Sequence, residues 1–474
     1  MPAFRHPFTS ALGAFLLASC LACQPEQPKT DDSNSADCIV AVTIDTLRAD
    51  HLPMYGYPRA TAPFLTSLAE RGVVFEKAFS ASSHTAPSHA SLFTSLSPSE
   101  HGVRKNGDRL DASTPTIATE MRNSGYRTGA FSSVGWLRQI GQGFENFTAN
   151  ESGYTRGDQL VDDALAWLKK IPKNEAKFLW LHFFDVHEFQ EMQPADKTME
   201  PDPHYAAAKN ALARNNQSPP DWEQILNRDH GVPPRLAARI LPQLIASVSD
   251  YDTRIRYVDG ELERLHSALP EFCGPEKTRW FVTSDHGEGL LTSGRMGHGR
   301  YLHHEQLHVP LIYYAADLEH PGTRVPQLVR LVDLPATIAD AAGAQWPQGK
   351  GYSLLGLTGG DASQYPVRLN FAQRRPASTK RLKLGWTEGE VMTIHDADKR
   401  YILRTEAPDL FFDRSVDPFE TKPLSPTDHL EASRWQRMAI EEWERVQNAE
   451  TSAKNSASTN PRYREQLRAL GYIE

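Results

Sequence analysis

Cys38-Ile-Val-Ala-Val-Thr-Ile44 runs directly into Asp45, and Trp280-Phe-Val-Thr-Ser284 runs directly into Asp285-His286. Each run is short, apolar and rich in β-branched or aromatic residues, which suits a strand buried on both faces. Each therefore places a carboxylate at the carboxyl end of a strand. Similar runs at Val73 to Ala78, Arg127 to Ser132, Lys177 to Phe184 and Val309 to Tyr314 predict further strands. Amphipathic segments at Thr61 to Arg71, Thr114 to Ser124, Gly157 to Lys170 and Leu241 to Ala268 predict helices between them. Alternation of this kind implies an α/β fold, a mostly parallel sheet sandwiched by helices, because parallel strands need crossover connections. Ligands in such sheets sit beyond the carboxyl ends of the strands, where Asp45 and Asp285 stand.

The chain has 474 residues, 39% hydrophobic and 23% charged, with a net charge of −8. That composition is globular, and the acidic balance gives no electrostatic reason to bind nucleic acid. Residues 1–19 read as a lipoprotein signal peptide: Arg5, an apolar stretch from Ala11 to Ala18, then Leu17-Ala18-Ser19-Cys20. Lipidation of Cys20 would anchor the chain to a membrane of the bacterial cell envelope, facing the periplasm or on the outer membrane. Residues 20–37 are polar and read as a flexible tether. A catalytic domain is expected over 38–350, interrupted by an insertion at 188–234 rich in Pro, Asn, Gln and charge. From 351 to 474 a smaller α+β subdomain is expected, with an antiparallel meander of Arg381 to Trp386, Glu390 to His395 and Arg400 to Arg404, then a helix over Leu430 to Val446.

The chemistry concentrates in a few stretches. Asp45, Asp285 and His286 suit a divalent cation, since carboxylates with a neutral imidazole favour Mn²⁺ or Zn²⁺, with Ca²⁺ ranked behind them. His84-Thr-Ala-Pro-Ser-His89 opens a helix with Pro87 at an early position. There the Thr85 hydroxyl is placed to attack an anionic ester or, alternatively, simply to cap the helix.

Asp45-Thr-Leu-Arg-Ala-Asp-His-Leu52, Tyr55-Gly-Tyr57, Thr85-Ala-Pro-Ser-His89, Leu92-Phe-Thr94 and His101-Gly102 resemble the N-terminal signature of the sulfatase family of the alkaline phosphatase superfamily. Phe184-Asp-Val-His187, Thr283-Ser-Asp-His-Gly-Glu288, Gly297-His-Gly299, Val309-Pro310, Val332-Asp-Leu-Pro-Ala-Thr337 and the terminal Gly471-Tyr472 continue the resemblance in order. The resemblance implies a hydrolase with one divalent metal ion held by Asp45, Thr85, Asp285 and His286. It also implies that His187 and His298 hold ester oxygens or protonate the leaving group, with His89 and Asn106 lining the anion pocket. His303, His304 and His308 form a histidine-rich loop that matches no metal spacing.

Four departures bear on the chemistry. Thr85 stands where the family carries a Cys or Ser matured to formylglycine, His89 where it has Arg, Thr46 where it has a second Asp, and Ser132-Ser133 where it has Gly-Lys. Threonine cannot release its product by collapsing to an aldehyde, so a covalent Thr85 intermediate must be displaced by water or an alcohol. The resemblance thus implies hydrolysis of a sulfate or phosphate ester. Alternatives are phosphoethanolamine or glycerophosphate transfer to envelope glycans or lipids, and an inactive lipoprotein that binds anionic glycans. The partner in every case is an anionic ester, glycan or lipid. Finally, parallel neighbouring strands ending at Asp45 and Asp285 would bring their amino ends together, which predicts a Cys38 to Cys273 disulfide in an oxidising compartment.

Overall fold

The computed structural model describes residues 37–151, 153–187, 234–290, 295–347, 349–359, 365–378, 389–425 and 430–450, with Leu382. The expected signal peptide with Cys20, the expected tether up to residue 36, the expected insertion at 188–233 and Gly471-Tyr472 lie outside these residues. So does the expected strand Arg381 to Trp386, apart from Leu382.

Among the described residues the main sheet has nine strands. In chain order they are β1 (Cys38–Ile44), β2 (Val73–Phe79), β3 (Arg127–Ser132), β4 (Asn146–Ala149), β5 (Lys177–Phe183) and β6 (Thr278–Thr283). A two-stranded ribbon of β7 (Gly289–Leu290) and β8 (Met296–Gly297) intervenes before β9 (His308–Val309), β10 (Leu311–Ala315) and β11 (Thr323–Arg330) complete the sheet. The spatial order is β11-β2-β10-β6-β1-β5-β3-β4, with β9 paired to β2. Strand β1 pairs in parallel with both β5 and β6, and only β9 and β10 run against their neighbours. The predicted, mostly parallel sheet is therefore observed, and the two strands carrying Asp45 and Asp285 are adjacent. Pro310 splits the expected Val309 to Tyr314 strand into β9 and β10, since it offers no N–H to a ladder.

Every residue of β1 is buried, because helices cover both faces of the sheet. On one side α1 (Pro63–Arg71), α4 (Gly157–Leu168) and α5 (Pro234–Ala268) pack on Val40, Val42, Leu179, Leu181, Trp280 and Val282. On the other, α2 (Thr85–Thr94), α3 (Ile117–Asn123) and α6 (Leu334–Ala341) pack on Ile39, Ala41, Phe178, Trp180 and Phe281. The strand alternation assigns odd and even positions of β1 to opposite cores.

The amino ends of β1 and β6 are stapled. Cys38 and Cys273 form a disulfide with a Cα–Cα distance of 5.9 Å, as the strand order predicts. A second, antiparallel sheet follows toward the C-terminus: β12 (Asn370–Arg374), β13 (Val391–His395), β14 (Lys399–Arg404) and β15 (Leu410–Asp413). Its first strand is Asn370–Arg374, upstream of the one expected. Helix α7 (Leu430–Glu450) packs Ala432, Trp435 and Ala439 onto Ile394, Tyr401 and Phe411.

Candidate active site

The site lies at the carboxyl ends of β1 and β6 and the amino end of α2. Asp45 follows β1 and Asp285 follows β6, so strand pairing sets the distance between them. Both side chains are 0% exposed. Asp45 Oδ2 accepts from His182 Nε2 at 3.2 Å, whereas Oδ1 has no hydrogen bond. Asp285 Oδ1 accepts from the His286 and Thr46 N–H groups at 2.8 and 3.3 Å, whereas Oδ2 has none. Each carboxylate thus has one oxygen hydrogen-bonded to the protein and one that is not. His286 Nε2 lies 3.4 Å from Asp285 Oδ2, 3.9 Å from Asp45 Oδ1 and 3.4 Å from Thr85 Oγ1.

The His286 tautomer follows from its other nitrogen. Nδ1 sits 3.0 Å from the Gly287 carbonyl, which only accepts, so Nδ1 carries the proton and Nε2 presents its lone pair. Burial holds this imidazole below its ordinary pKa, hence neutral. Burial raises Asp45 to about 6, and the Asp285 charge adds to the rise. For Asp285 burial works the same way, but His286, His89 and His182 outweigh it and bring its carboxyl below the usual value. Two bare buried carboxylate oxygens and one imidazole lone pair are a donor set that fits a divalent cation, whose charge would hold both carboxyls ionised. Among the described residues, these three form a group of metal-capable side chains whose ligand atoms all lie within 4.8 Å of one another.

Thr85 is the first residue of α2 and is fully buried. The His84 side chain does not cap the helix; instead Asn106 Oδ1 accepts from the Ala86 N–H at 2.9 Å. Asn106 Nδ2 is buried with no hydrogen bond. His89 lies one turn below Thr85 and is likewise fully buried. Trp180 Nε1, which can only donate, reaches Thr43 Oγ1 at 3.1 Å. The Thr43 hydroxyl proton is then free for His89 Nε2 at 2.9 Å, which makes Nδ1 the protonated nitrogen, donating to the Thr85 carbonyl at 2.8 Å. Burial, the largest influence, keeps this imidazole neutral, with a pKa of about 4. With both ring nitrogens engaged, His89 supports Thr85 from beneath and has no nitrogen left for an ester oxygen.

His298 lies across the site. Its ring centroid is 4.7 Å from His286 and 5.0 Å from His187, and Nδ1 lies 3.0 Å from Glu288 Oε2. Glu288 Oε1 in turn accepts from the Gly289 N–H. His187 is stacked on Phe184, centroids 4.1 Å apart. His303 and His304 belong instead to a buried cluster around Glu420, and His308 bonds the Glu76 carbonyl. These bonds involve none of Asp45, Thr85, Asp285 and His286.

His182 and Glu288 escaped the sequence reading. His182 is a lone polar residue within the apolar run of β5, on the same face as Trp180, and that break in pattern was its signal. Ser132 Oγ lies 3.2 Å from His182 Nδ1, and Thr46 adopts a left-handed φ of 61° that aims its N–H at Asp285. The sites of departure, at 46, 85, 89 and 132, are thus linked in one buried hydrogen-bonded layer.

Residues 37–344 match the family model described as Sulfatase. The chain belongs to the sulfatase family. It is 26% identical to arylsulfatase K of Xenopus laevis over 389 residues, covering 73% of this chain and 70% of that protein. It is 24% identical to human iduronate 2-sulfatase over 423 residues, covering 71% and 74% respectively. Among solved structures, the phosphonate monoester hydrolase of Agrobacterium radiobacter superposes with a TM-score of 0.66 at 18% identity, covering 90% of this chain and all of that one. Membership identifies this sulfatase-family chain as an ester hydrolase; its particular nucleophile and substrate are taken up next.

Proposed function

We propose that this chain is a metal-dependent hydrolase of phosphate-type esters that uses Thr85 as nucleophile, with sulfate esters as the competing substrate class. The observation that carries the reading is the pair of bare buried oxygens, Asp45 Oδ1 and Asp285 Oδ2, set around His286 Nε2 and the Thr85 hydroxyl. Asp45, Asp285, His286 and Thr85 would hold one divalent ion, Mn²⁺ or Zn²⁺ by the nature of the donors. Such an ion supplies a Lewis acid and lowers the pKa of the threonine hydroxyl.

The chain's own residues do the rest. Thr85 Oγ1, its proton already lost to solvent, bonds to the central atom as the ester oxygen departs. His298, oriented by Glu288 and faced by His187, donates the proton to that oxygen. Asn106 Nδ2 is a spare buried donor for a non-bridging oxygen. Water, giving its proton back to His298, then displaces Thr85 Oγ1 from the central atom as the alkoxide that began the cycle. Threonine requires this second displacement, which is why the reading favours phosphorus over sulfur. Anchoring in the cell envelope through a lipidated Cys20 belongs to the same proposal, and the Cys38–Cys273 disulfide supports it as a pairing suited to an oxidising compartment.

Purified protein assayed on aryl sulfate and on aryl phosphate mono- and diesters, with added Mn²⁺, Zn²⁺ or Ca²⁺, tests the reading. Thr85→Ala should abolish turnover and Thr85→Ser should retain part of it. Wild-type rates in Thr85→Ala would refute the nucleophile, and turnover confined to sulfates would refute the phosphate preference.

A further inference from the structure

A cavity of about 370 Å³ lies between the segment that follows His298 and the C-terminal sheet. Leu302, Val391, Ile402 and Phe412 give it an apolar wall. Arg295, Arg300 and Arg404 bring three guanidinium groups to the same space. These cations are set in place by the fold. Arg295 donates to the carbonyls of Phe419 and Glu420, Arg404 Nε donates to the Pro408 carbonyl, and Arg300 lies 4.8 Å over the Tyr301 ring.

The carboxylate in the lining is already satisfied. Glu420 Oε1 accepts from Arg400 Nε at 2.6 Å, and Oε2 accepts from His303 Nδ1 at 2.8 Å and the His304 N–H at 3.1 Å. Glu305 stands 3.8 Å from Arg295, and Asp409 accepts from the Arg404 backbone N–H. Against these three carboxylates stand Arg400 and Arg414, both on Glu420, as well as the three lining arginines. Five guanidinium groups thus stand in or beside the cavity lining. The volume falls in the range of small-molecule pockets, and guanidinium groups beside an apolar wall match a ligand with an acidic head and an apolar body.

We propose that this cavity is a binding site for a small amphiphilic anion. The site adjoins the chemistry through one continuous segment: His298 is followed by Gly299, packed against His84, and then by the lining residues Arg300 to His303. Ser83 Oγ, two residues before Thr85, donates to the Tyr301 carbonyl at 2.8 Å. The same ligand chemistry could belong to the distal part of the ester substrate or to a separate effector. The substrate version rests on the ester-hydrolase reading above; the binding site itself does not.

The test is calorimetric titration of the full chain with 2-naphthalenesulfonate, a stable amphiphilic anion with no ester to cleave. Binding at one site is expected, weakened about tenfold or more by Arg404→Gln, which removes a cation remote from Thr85, and by Leu410→Trp, which fills the cavity. Circular dichroism and thermal melts confirm that both variants fold. Competitive inhibition of aryl phosphate turnover by the probe assigns the site to substrate, and non-competitive inhibition assigns it to an effector; either outcome sustains the site. Absence of binding, or equal binding by wild type and both folded variants, overturns it. Turnover without probe binding would refute this site alone, and probe binding without turnover would refute the hydrolase reading alone.

Discussion

Replacing His89 with Ala should damage the protein in two separable ways. The imidazole is fully buried between Thr43 Oγ1 and the Thr85 carbonyl, with rings of His182, Trp180 and Phe93 at 4.9, 5.4 and 6.2 Å. Its removal leaves the Thr43 hydroxyl proton without an acceptor inside the core, a loss of about 1–3 kcal/mol. It also opens a space lined by aromatic groups, which in comparable large-to-small changes costs roughly 2–5 kcal/mol. Partial relaxation makes these contributions less than additive, so a net loss of about 3–5 kcal/mol is expected in urea unfolding monitored by fluorescence. Catalysis should fall as well. The first turn of α2 loses the bond that fixes the Thr85 backbone, and a displacement on the order of 1 Å at a reacting group costs about 10²-fold in rate. The fall should appear in kcat more than in KM, because His89 offers no nitrogen to substrate. His89→Gln, whose amide both donates and accepts, should recover part of each loss. A folded His89→Ala protein within about 0.5 kcal/mol of wild type, with raised KM and unchanged kcat, would refute the supporting role and return His89 to the anion pocket.

Asp285→Ala should remove most of the bound divalent ion together with activity, measured as metal content of protein purified in parallel with wild type; unchanged stoichiometry would sink the metal assignment. Cys38→Ala/Cys273→Ala should lower stability by roughly 2–5 kcal/mol, because the bridge closes a loop with a sequence separation of 235, and an equal urea midpoint in the two proteins would refute this. Burial raises the Asp185 carboxyl to about 7, although its Oδ1 accepts from the Gly157 N–H at 3.1 Å. Folded Asp185 therefore keeps a proton between about pH 4 and 7 that the unfolded chain has lost, so this residue's contribution declines as pH rises through that window. Asp185→Asn should flatten the stability profile between pH 5 and pH 8 by roughly 2–3 kcal/mol relative to wild type, and parallel profiles would contradict the shift.

The sequence was most legible where burial and chemistry coincide. Cys38–Ile44 is mostly apolar because both faces are covered, and its predicted limits match the observed strand, as do those of Arg127–Ser132. The strands that went unread are marginal ones. β4 is a short edge strand, and β11 carries Pro326 and a bulge between Val325 and Leu328, so neither shows a continuous buried pattern. In the site, Asp45, Thr85, Asp285 and His286 were legible because each stands at the end of a regular element, and the structure brings them together. The support beneath them was less so. His182 looks like a flaw in a hydrophobic strand until β1 and β5 are paired, and the bond between Glu288 and His298 joins the two ends of the β7–β8 ribbon, which no local pattern announces.

Strand β1 has a temporal consequence as well as a spatial one. It is the first strand among the described residues, yet it occupies the middle of the sheet, between β5 at Lys177–Phe183 and β6 at Thr278–Thr283. During synthesis its mostly apolar sequence emerges well over a hundred residues before the first of its partners and more than two hundred before the second. Non-local pairing of this order folds slowly, and an unpaired apolar strand is prone to aggregate while it waits. The bare oxygens of Asp45 and Asp285 come together only when β6 has docked. Uptake of the proposed metal ion would therefore follow the docking of β6, and a chain interrupted before Thr278 would hold half a site and a central strand exposed on one edge.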